Sequence, residues 1–186
     1  NVRSLTPQQE QRSYAQISGA LLLSKVQALE LQCGSASIHY VGIQEGRSRS
    51  PGVRHGLYYT MLVAAADDTG NFGCQFWFLA DLHVSLQQWQ VLHPRLLVAG
   101  LLDRGCLNVF LVGHAPQEYA DVQIKDEFWN LLEDNYVLLA DKYPCAQFFL
   151  CLDANGRVGS VTCEYIGPFG AERETPNGAR LRNFCV

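Results

Sequence analysis

The stretch QFFLCLDANG at residues 147–156 decides the fold, because it runs from a buried strand straight into a polar turn. Its first six residues are almost continuously apolar, which is typical of a strand that is covered on both faces. Before it, the apolar spacing over residues 121–142 predicts a helix that Pro144 stops. The predicted apolar face of that helix consists of Ile124, Phe128, Leu131, Tyr136 and Leu139.

Two predicted hairpins precede this helix along the chain. The first joins strands at 58–65 and 74–79 through a turn rich in Asp, Gly and Asn. The second joins strands at 96–101 and 107–113 around Asp103-Arg104-Gly105. Nearer the amino terminus, the sequence predicts a further helix, strand and loop. That helix begins at a Thr6 cap and ends at Cys33-Gly34, the strand spans 38–44, and the loop spans 46–56.

This order of elements predicts an α/β (α+β) fold in which mixed sheets carry helices on their outer faces. The chain has 186 residues, 48% of them apolar, which is enough to bury the core of one domain over residues 1–186. A short helix is predicted over 178–185. No apolar run reaches the ~20 residues that a membrane span needs, so we expect no membrane partner.

Charge and cysteine content exclude several functional classes. The net charge of −4 is not that of a strongly basic nucleic-acid binder, although basic side chains cluster at residues 47–55. The seven cysteines are widely spaced and form no C-x-x-C pair, which argues against a zinc site and favours reduced thiols. No secretory signal opens the chain, so we expect an intracellular protein, with nucleus and cytoplasm both open.

Polar residues stand where three predicted strands end, a usual place for functional groups. Glu45 follows the first strand, His114 ends another, and Asp153 and Asn155 close the buried strand. Alternate residues of an extended chain project to one side, so Asp153 and Asn155 are expected to stand together. Glu45 offers a hard oxygen ligand for Mg²⁺. The same residues are also typical of a solvated loop start, a structural imidazole and an ordinary turn.

Four motifs in order resemble the endonuclease/exonuclease/phosphatase superfamily, which has a deoxyribonuclease-like fold. They are NVRSL at 1–5, GIQEGRSR at 42–49, NVFLVGHAP at 108–116 and LDANGRVG at 152–159. The likeness is greatest to the retrotransposon endonuclease and craniofacial-development-protein-like branch, whose following segment the tail at 166–185 also resembles. The resemblance implies a four-layer sandwich of two mixed β-sheets flanked by helices.

The resemblance also implies roles for individual residues. Asn1 helps to position the site, Glu45 ligates Mg²⁺ or Mn²⁺, and His114 contacts the phosphate. Asp153 activates the attacking water, and Asn155 orients the phosphate. The implied reaction is metal-dependent hydrolysis of a phosphodiester.

A nucleic acid, with DNA favoured over RNA, is the partner that the resemblance implies. Arg47, Arg49 and Arg54 lie beside the metal ligand in the sequence and are expected to contact the backbone without reading bases. A solubilising loop is the alternative for these arginines.

The chain departs from the family at both ends. It starts at the family's first-strand Asn, and it holds no Ser-Asp-His sequence of the kind that closes the family's site. We therefore expect a partial domain that is weakly active or inactive, with sheet edges open to self-association. A non-catalytic remnant that binds metal or nucleic acid, and a small-molecule phosphatase of the same superfamily, are the alternatives.

Overall fold

The structure is a computed structural model that describes residues 24–160, 164, 167 and 172–186. Its helices and strands follow one another in the order α1 (Lys25–Ser35), β1 (Tyr40–Ile43), β2 (Gly52–His55), β3 (Tyr59–Val63), β4 (Gln75–Leu79), β5 (Val84–His93), β6 (Leu96–Asp103), β7 (Cys106–His114), α2 (Val122–Lys142), β8 (Gln147–Asp153) and α3 (Pro176–Phe184). No helix in this part of the chain is both long enough and apolar enough to cross a membrane.

The strands form two four-stranded sheets. The first sheet has the order β1-β4-β3-β2 and the second has the order β5-β6-β7-β8. Every pair in the first sheet is antiparallel, whereas β7 and β8 of the second sheet run parallel. The predicted α+β fold of two sheets with helices is confirmed, and one of the two described sheets is mixed.

Alternation along the strands separates an inner core from two outer ones. Leu62, Phe76, Phe110 and Val112 project between the sheets, where the Phe76 and Phe110 rings stack 4.5 Å apart. The outer face of the first sheet packs on α1, and the outer face of the second packs on α2 and α3. The layers are therefore helix, sheet, sheet and helix, as expected for apolar faces that each need cover.

The amino-terminal helix begins later than the sequence predicted. Ser24 caps α1 with an extended backbone (φ −61°, ψ 157°), and its side chain and that of Gln27 form a capping box. The prediction of a single helix that runs through residue 24 is therefore wrong. The predicted start at Thr6 lies outside the described residues. The helix ends at Ser35, one residue beyond the predicted Gly34.

Two strands, β2 and β5, were not predicted from the sequence. The predicted loop at 46–56 contains β2, which pairs with β3 in the first sheet. The ten-residue β5 was not predicted at all, because bulges between Leu86 and Gln88 and between Val91 and His93 interrupt its alternation. The two predicted hairpins, β3–β4 and β6–β7, are confirmed by their antiparallel registers.

The structure also corrects two predicted faces. On α2 the predicted Phe128 and Leu139 are buried, whereas Ile124 is half exposed and Lys125, Trp129 and Leu132 complete the buried face. Lys125 faces inward because its Nζ donates to the Glu118 carbonyl at 2.8 Å. The second correction concerns β8, which lies at the edge of the described sheet and leaves Phe149 42% exposed, so it is not covered on both faces.

Candidate active site

Three strands deliver polar residues to one edge of the sandwich. The parallel register places His114 of β7 beside Asp153 of β8. The end of β1 meets β8, since Gln44 Nε2 donates to the Cys151 carbonyl at 3.0 Å. This contact brings Glu45 to the same edge as His114 and Asp153, three residues that the sequence had placed only at the ends of predicted strands.

Glu45 lies between an imidazole and a guanidinium. Its Oε1 is 3.8 Å from His114 Nε2, and its Oε2 is 3.7 Å from an Arg47 terminal nitrogen. Glu45 and Arg47 both adopt left-handed backbone conformations, with φ of 56° and 49°. Hydrogen bonds hold this strained turn, because Gly46 N donates to Gly73 O at 2.8 Å and Arg47 N to Phe72 O at 2.9 Å.

His114 is almost fully buried, yet in the part of the chain that the structure describes neither ring nitrogen has a hydrogen-bond partner. The same holds for the buried Nε of Arg47. Burial lowers the pKa of His114, the charge of Arg95 lowers it further, and Asp153 and Glu45 partly oppose this shift. The ring is therefore neutral near pH 7. Native proteins leave few buried polar atoms unpaired, so these nitrogens point to a missing partner.

A tight turn, rather than strand alternation, brings Asn155 to the site. β8 ends at Asp153, and Asn155 has a left-handed φ of 45°. Asn155 N donates to Asp153 Oδ1 at 3.1 Å, and its Nδ2 donates to the Ala115 carbonyl at 2.7 Å. One amide hydrogen of Asn155 is thus used to join the ends of β7 and β8.

A cleft of about 360 Å³ opens at this edge, and three basic or aromatic residues that line it were not predicted from the sequence, namely Arg95, Phe72 and Tyr119. The guanidinium of Arg95 lies over the ring of Phe72, 3.5 Å from its centroid. Arg95 Nη1 also donates to the carbonyl oxygens of His114 (3.2 Å) and Ala115 (3.3 Å). Arg95 lies in the turn between β5 and β6, so missing β5 also hid Arg95. The exposed Tyr119 lines the cleft mouth.

Asp153 and Asn155 lie at this edge but do not line the cleft. Of the three predicted arginines, Arg47 lines it, whereas Arg49 and Arg54 do not. Arg54 lies on β2 and donates to Ser48 Oγ and to the Ser50 carbonyl. Asn1 lies outside the described residues.

The donor set limits what metal the cleft can hold. Within residues 24–160, 164, 167 and 172–186 no group of three or more His, Cys, Asp or Glu side chains is arranged to hold an ion. Glu45 is the carboxylate that lines the cleft. This set fits Mg²⁺, which uses one or two carboxylates and keeps several waters, and it does not fit an all-protein cage. The six described cysteines are free, and burial raises the pKa of Cys74 to about 12.

Comparison with solved structures shows that this sandwich is an endonuclease-like fold, and seven chains match. One of them is the endonuclease domain of TRAS1, a telomere-specific non-LTR retrotransposon, with a TM-score of 0.56 and 15% sequence identity. The match covers 84% of the present chain and 61% of that chain, so the present chain spans about three fifths of its length. No protein-family model and no curated protein matches the sequence.

Proposed function

We propose that this chain carries the site of a metal-dependent phosphodiesterase that cleaves nucleic acid. The observation that carries the proposal is the set of buried, unpartnered nitrogens on His114 and Arg47 beside the Glu45 carboxylate. The structural neighbour is named as an endonuclease domain, and this name supports the same reaction class. The four sequence motifs further support placing the chain in the retrotransposon endonuclease branch of the endonuclease/exonuclease/phosphatase superfamily.

A phosphate group in the cleft supplies acceptors for one ring nitrogen of His114 and for the Arg47 guanidinium. The neutral ring of His114 donates one N–H to a phosphate oxygen, and the Arg47 guanidinium donates charge-assisted hydrogen bonds to another. Both groups are held before the ligand arrives, His114 by burial at the end of β7 and Arg47 by its left-handed turn. Such preorganised donors gain more from an anion than mobile surface side chains do.

Hydrolysis then uses the two carboxylates in separate roles. Glu45, which is paired with Arg47 in the structure, would hold Mg²⁺, or Mn²⁺ in its place. When bound, the metal polarises the phosphate and stabilises the leaving oxygen. Asp153, beside His114 in the register, accepts a proton from the attacking water. Asn155 keeps the second hydrogen of its side-chain amide for the phosphate.

A nucleic-acid backbone is the proposed substrate, with DNA favoured over RNA. Arg49 and Arg54 extend the basic surface beyond the cleft and neutralise further phosphates without reading the sequence. Tyr119 at the cleft mouth, which is 88% exposed, offers a flat ring on which an unpaired base stacks.

Binding of nucleic acid without cleavage is the second candidate. The observation that favours it is the Glu45–Arg47 ion pair, which engages the carboxylate that lines the cleft. A site of this kind binds phosphate through Arg47 and His114 and has no need of a metal ion.

The test titrates Mg²⁺ against labelled DNA and RNA strands, with p-nitrophenyl phosphate as a small phosphoester, and reads binding and cleavage separately. We expect Asp153→Ala to reduce cleavage at least ~100-fold while binding persists, and Glu45→Gln to raise the Mg²⁺ concentration required. Asp68→Ala, in the exposed β3–β4 turn, is the matched control.

Cleavage that survives Asp153→Ala unchanged would overturn the proposed mechanism. Metal-independent binding without cleavage would establish the second candidate, and turnover of the small phosphoester alone would make the chain a phosphatase.

A further inference from the structure

Asn177 is a fully buried asparagine that the proposed chemistry does not use. It is the second residue of α3, whose start is already capped by Thr175, since the Thr175 side chain accepts from Gly178 N. The helix therefore needs no cap from Asn177. Burying an amide side chain is unfavourable unless its polar atoms find partners, so the partners of Asn177 show what it holds.

Those partners lie on three separate segments. Asn177 Oδ1 accepts from Trp129 Nε1 of α2 at 3.2 Å. Its Nδ2 donates to the carbonyl oxygens of Pro116 (2.7 Å) and Asn155 (3.3 Å). Its backbone N donates to Glu118 Oε2 at 3.3 Å. One side chain thus connects α2 to the segments that follow β7 and β8.

Both of those segments carry the candidate site. The segment after β7 places Gln117 and Tyr119 on the cleft, and the turn after β8 contains Asn155 two residues beyond Asp153. Asn155 itself bonds the Ala115 carbonyl, so the two asparagines form successive links across the ends of the parallel strands.

The backbone around Asn177 packs closely against this turn. A Cβ on Gly178 would lie 1.8 Å from the Arg157 carbonyl oxygen, and a Cβ on Gly156 would lie 2.6 Å from Gly178 N. Glycine at both positions lets the start of α3 approach the turn after β8 directly. Close packing and hydrogen bonds therefore both hold the start of α3 against the turn after β8.

We propose that Asn177 is a positioning residue that fixes the Asp153–Asn155 turn against the end of β7. Its catalytic consequence rests on the proposed phosphodiesterase function, whereas its effect on the turn does not. Misplacing reactive groups by about 1 Å costs on the order of 100-fold in rate, so a residue of this kind acts mainly on turnover.

A pair of matched variants separates positioning from a merely structural role. Asn177→Asp keeps the acceptor for Trp129 but turns a carboxylate oxygen toward the carbonyl oxygens of Pro116 and Asn155. Asn183→Asp makes the same chemical change at an exposed position of the same helix. If the Asn177→Asp variant is too unstable to study, Asn177→Ser is used in its place, because the serine hydroxyl retains one donor.

The first measurement needs no activity. In amide hydrogen exchange followed by NMR, we expect Asn177→Asp to speed exchange at least ~tenfold at the Ala115 and Asn155 amides, which bond to Asp153. Amides of β3 and β4 should not change, and Asn183→Asp should match the wild type. A uniform increase at all amides, or no change at the turn, would overturn the proposal.

The second measurement reads cleavage kinetics. We expect Asn177→Asp to lower kcat by ~10–100-fold with KM within about threefold of the wild type, as for supporting residues around other sites. An unchanged kcat alongside a loosened turn would overturn the catalytic role of Asn177. A wild-type chain that cleaves nothing would count against the phosphodiesterase alone, because hydrogen exchange still decides the positioning.

Discussion

Phe110 and His114 lie on the same strand, β7, and each exposes 2% of its surface, yet their surroundings differ completely. Phe110 lies between aromatic rings, with centroids 4.5 Å away at Phe76 and 4.9 Å away at Phe149. His114 has two buried ring nitrogens that no group in the described part of the chain satisfies. Equal burial therefore goes with complete apolar packing in one case and with unsatisfied polar atoms in the other.

The difference follows from position along the strand. In the middle of β7, the Phe110 side chain projects between the two sheets, where buried side chains are apolar or hydrogen-bonded. The end of β7 meets the segments that carry Glu45, Arg47 and Arg95, so polar groups gather there without completing one another's hydrogen bonds. The predictions below test this contrast, beginning with the largest expected effect.

Of the two side chains, Phe110 should contribute more to the free energy of unfolding. We expect Phe110→Ala to lower the free energy of unfolding by ~3–5 kcal/mol, because it removes a ring from a packed interface and leaves a cavity. Urea denaturation measures the loss. Phe149→Ala, which removes the same ring from a 42% exposed position, should cost less than half as much. Equal losses would mean that the stack does not depend on enclosure between the sheets.

Arg95 joins the end of β7 to Phe72, and removing it should have the next largest effect on stability. Arg95→Met loses the stacking on Phe72 and the bonds to two carbonyl oxygens, so we expect a stability loss of ~1–3 kcal/mol. It should also raise the pKa of His114, since the charge of Arg95 lowers it. NMR titration of the histidine ring measures this shift. Arg104→Met, in an exposed turn, is the control, and an unmoved pKa would contradict the coupling.

How far the sequence predicted this molecule depends on how regular each pattern is. The β6–β7 hairpin and the helix over 121–142 follow from unbroken periodicity and are confirmed. Strand β5 was missed because two bulges interrupt its alternation. The buried face of α2 was predicted only in part, because Lys125 turns inward to a carbonyl on a preceding turn, a contact that hydrophobicity cannot reveal.

The candidate site shows the same limit. The sequence placed Glu45, His114 and Asp153 at the ends of predicted strands, because strand ends follow from regular elements, whereas their approach to one another depends on the β7–β8 pairing that the structure shows. Arg95 and Asn177 act through carbonyl oxygens of other segments, and a carbonyl leaves no trace in the pattern of residue types.

The buried histidine should make stability depend on pH. The folded pKa of His114 lies below its ordinary value of about 6.5, so below that pH the unfolded chain binds a proton that the folded chain excludes. Stability should therefore fall as the pH drops from 7 toward 5, by at most about 1.4 kcal/mol per pH unit for one histidine. His93, whose pKa burial also lowers, contributes in the same direction. Thermal melts across this range measure the fall, and His114→Leu should reduce its slope.

The smallest effect on stability should come from His114, the residue to which the proposed function gives a phosphate contact. At pH 7.5, His114→Leu removes two unsatisfied nitrogens and keeps a side chain of similar volume, so the free energy of unfolding should stay within ~1 kcal/mol of the wild type. Inorganic phosphate should nevertheless bind at least ~tenfold more weakly, as isothermal titration would show. A loss as large as that of Phe110→Ala would make His114 a structural core residue. Its burial would then carry the same meaning as that of Phe110, and the contrast along β7 would disappear.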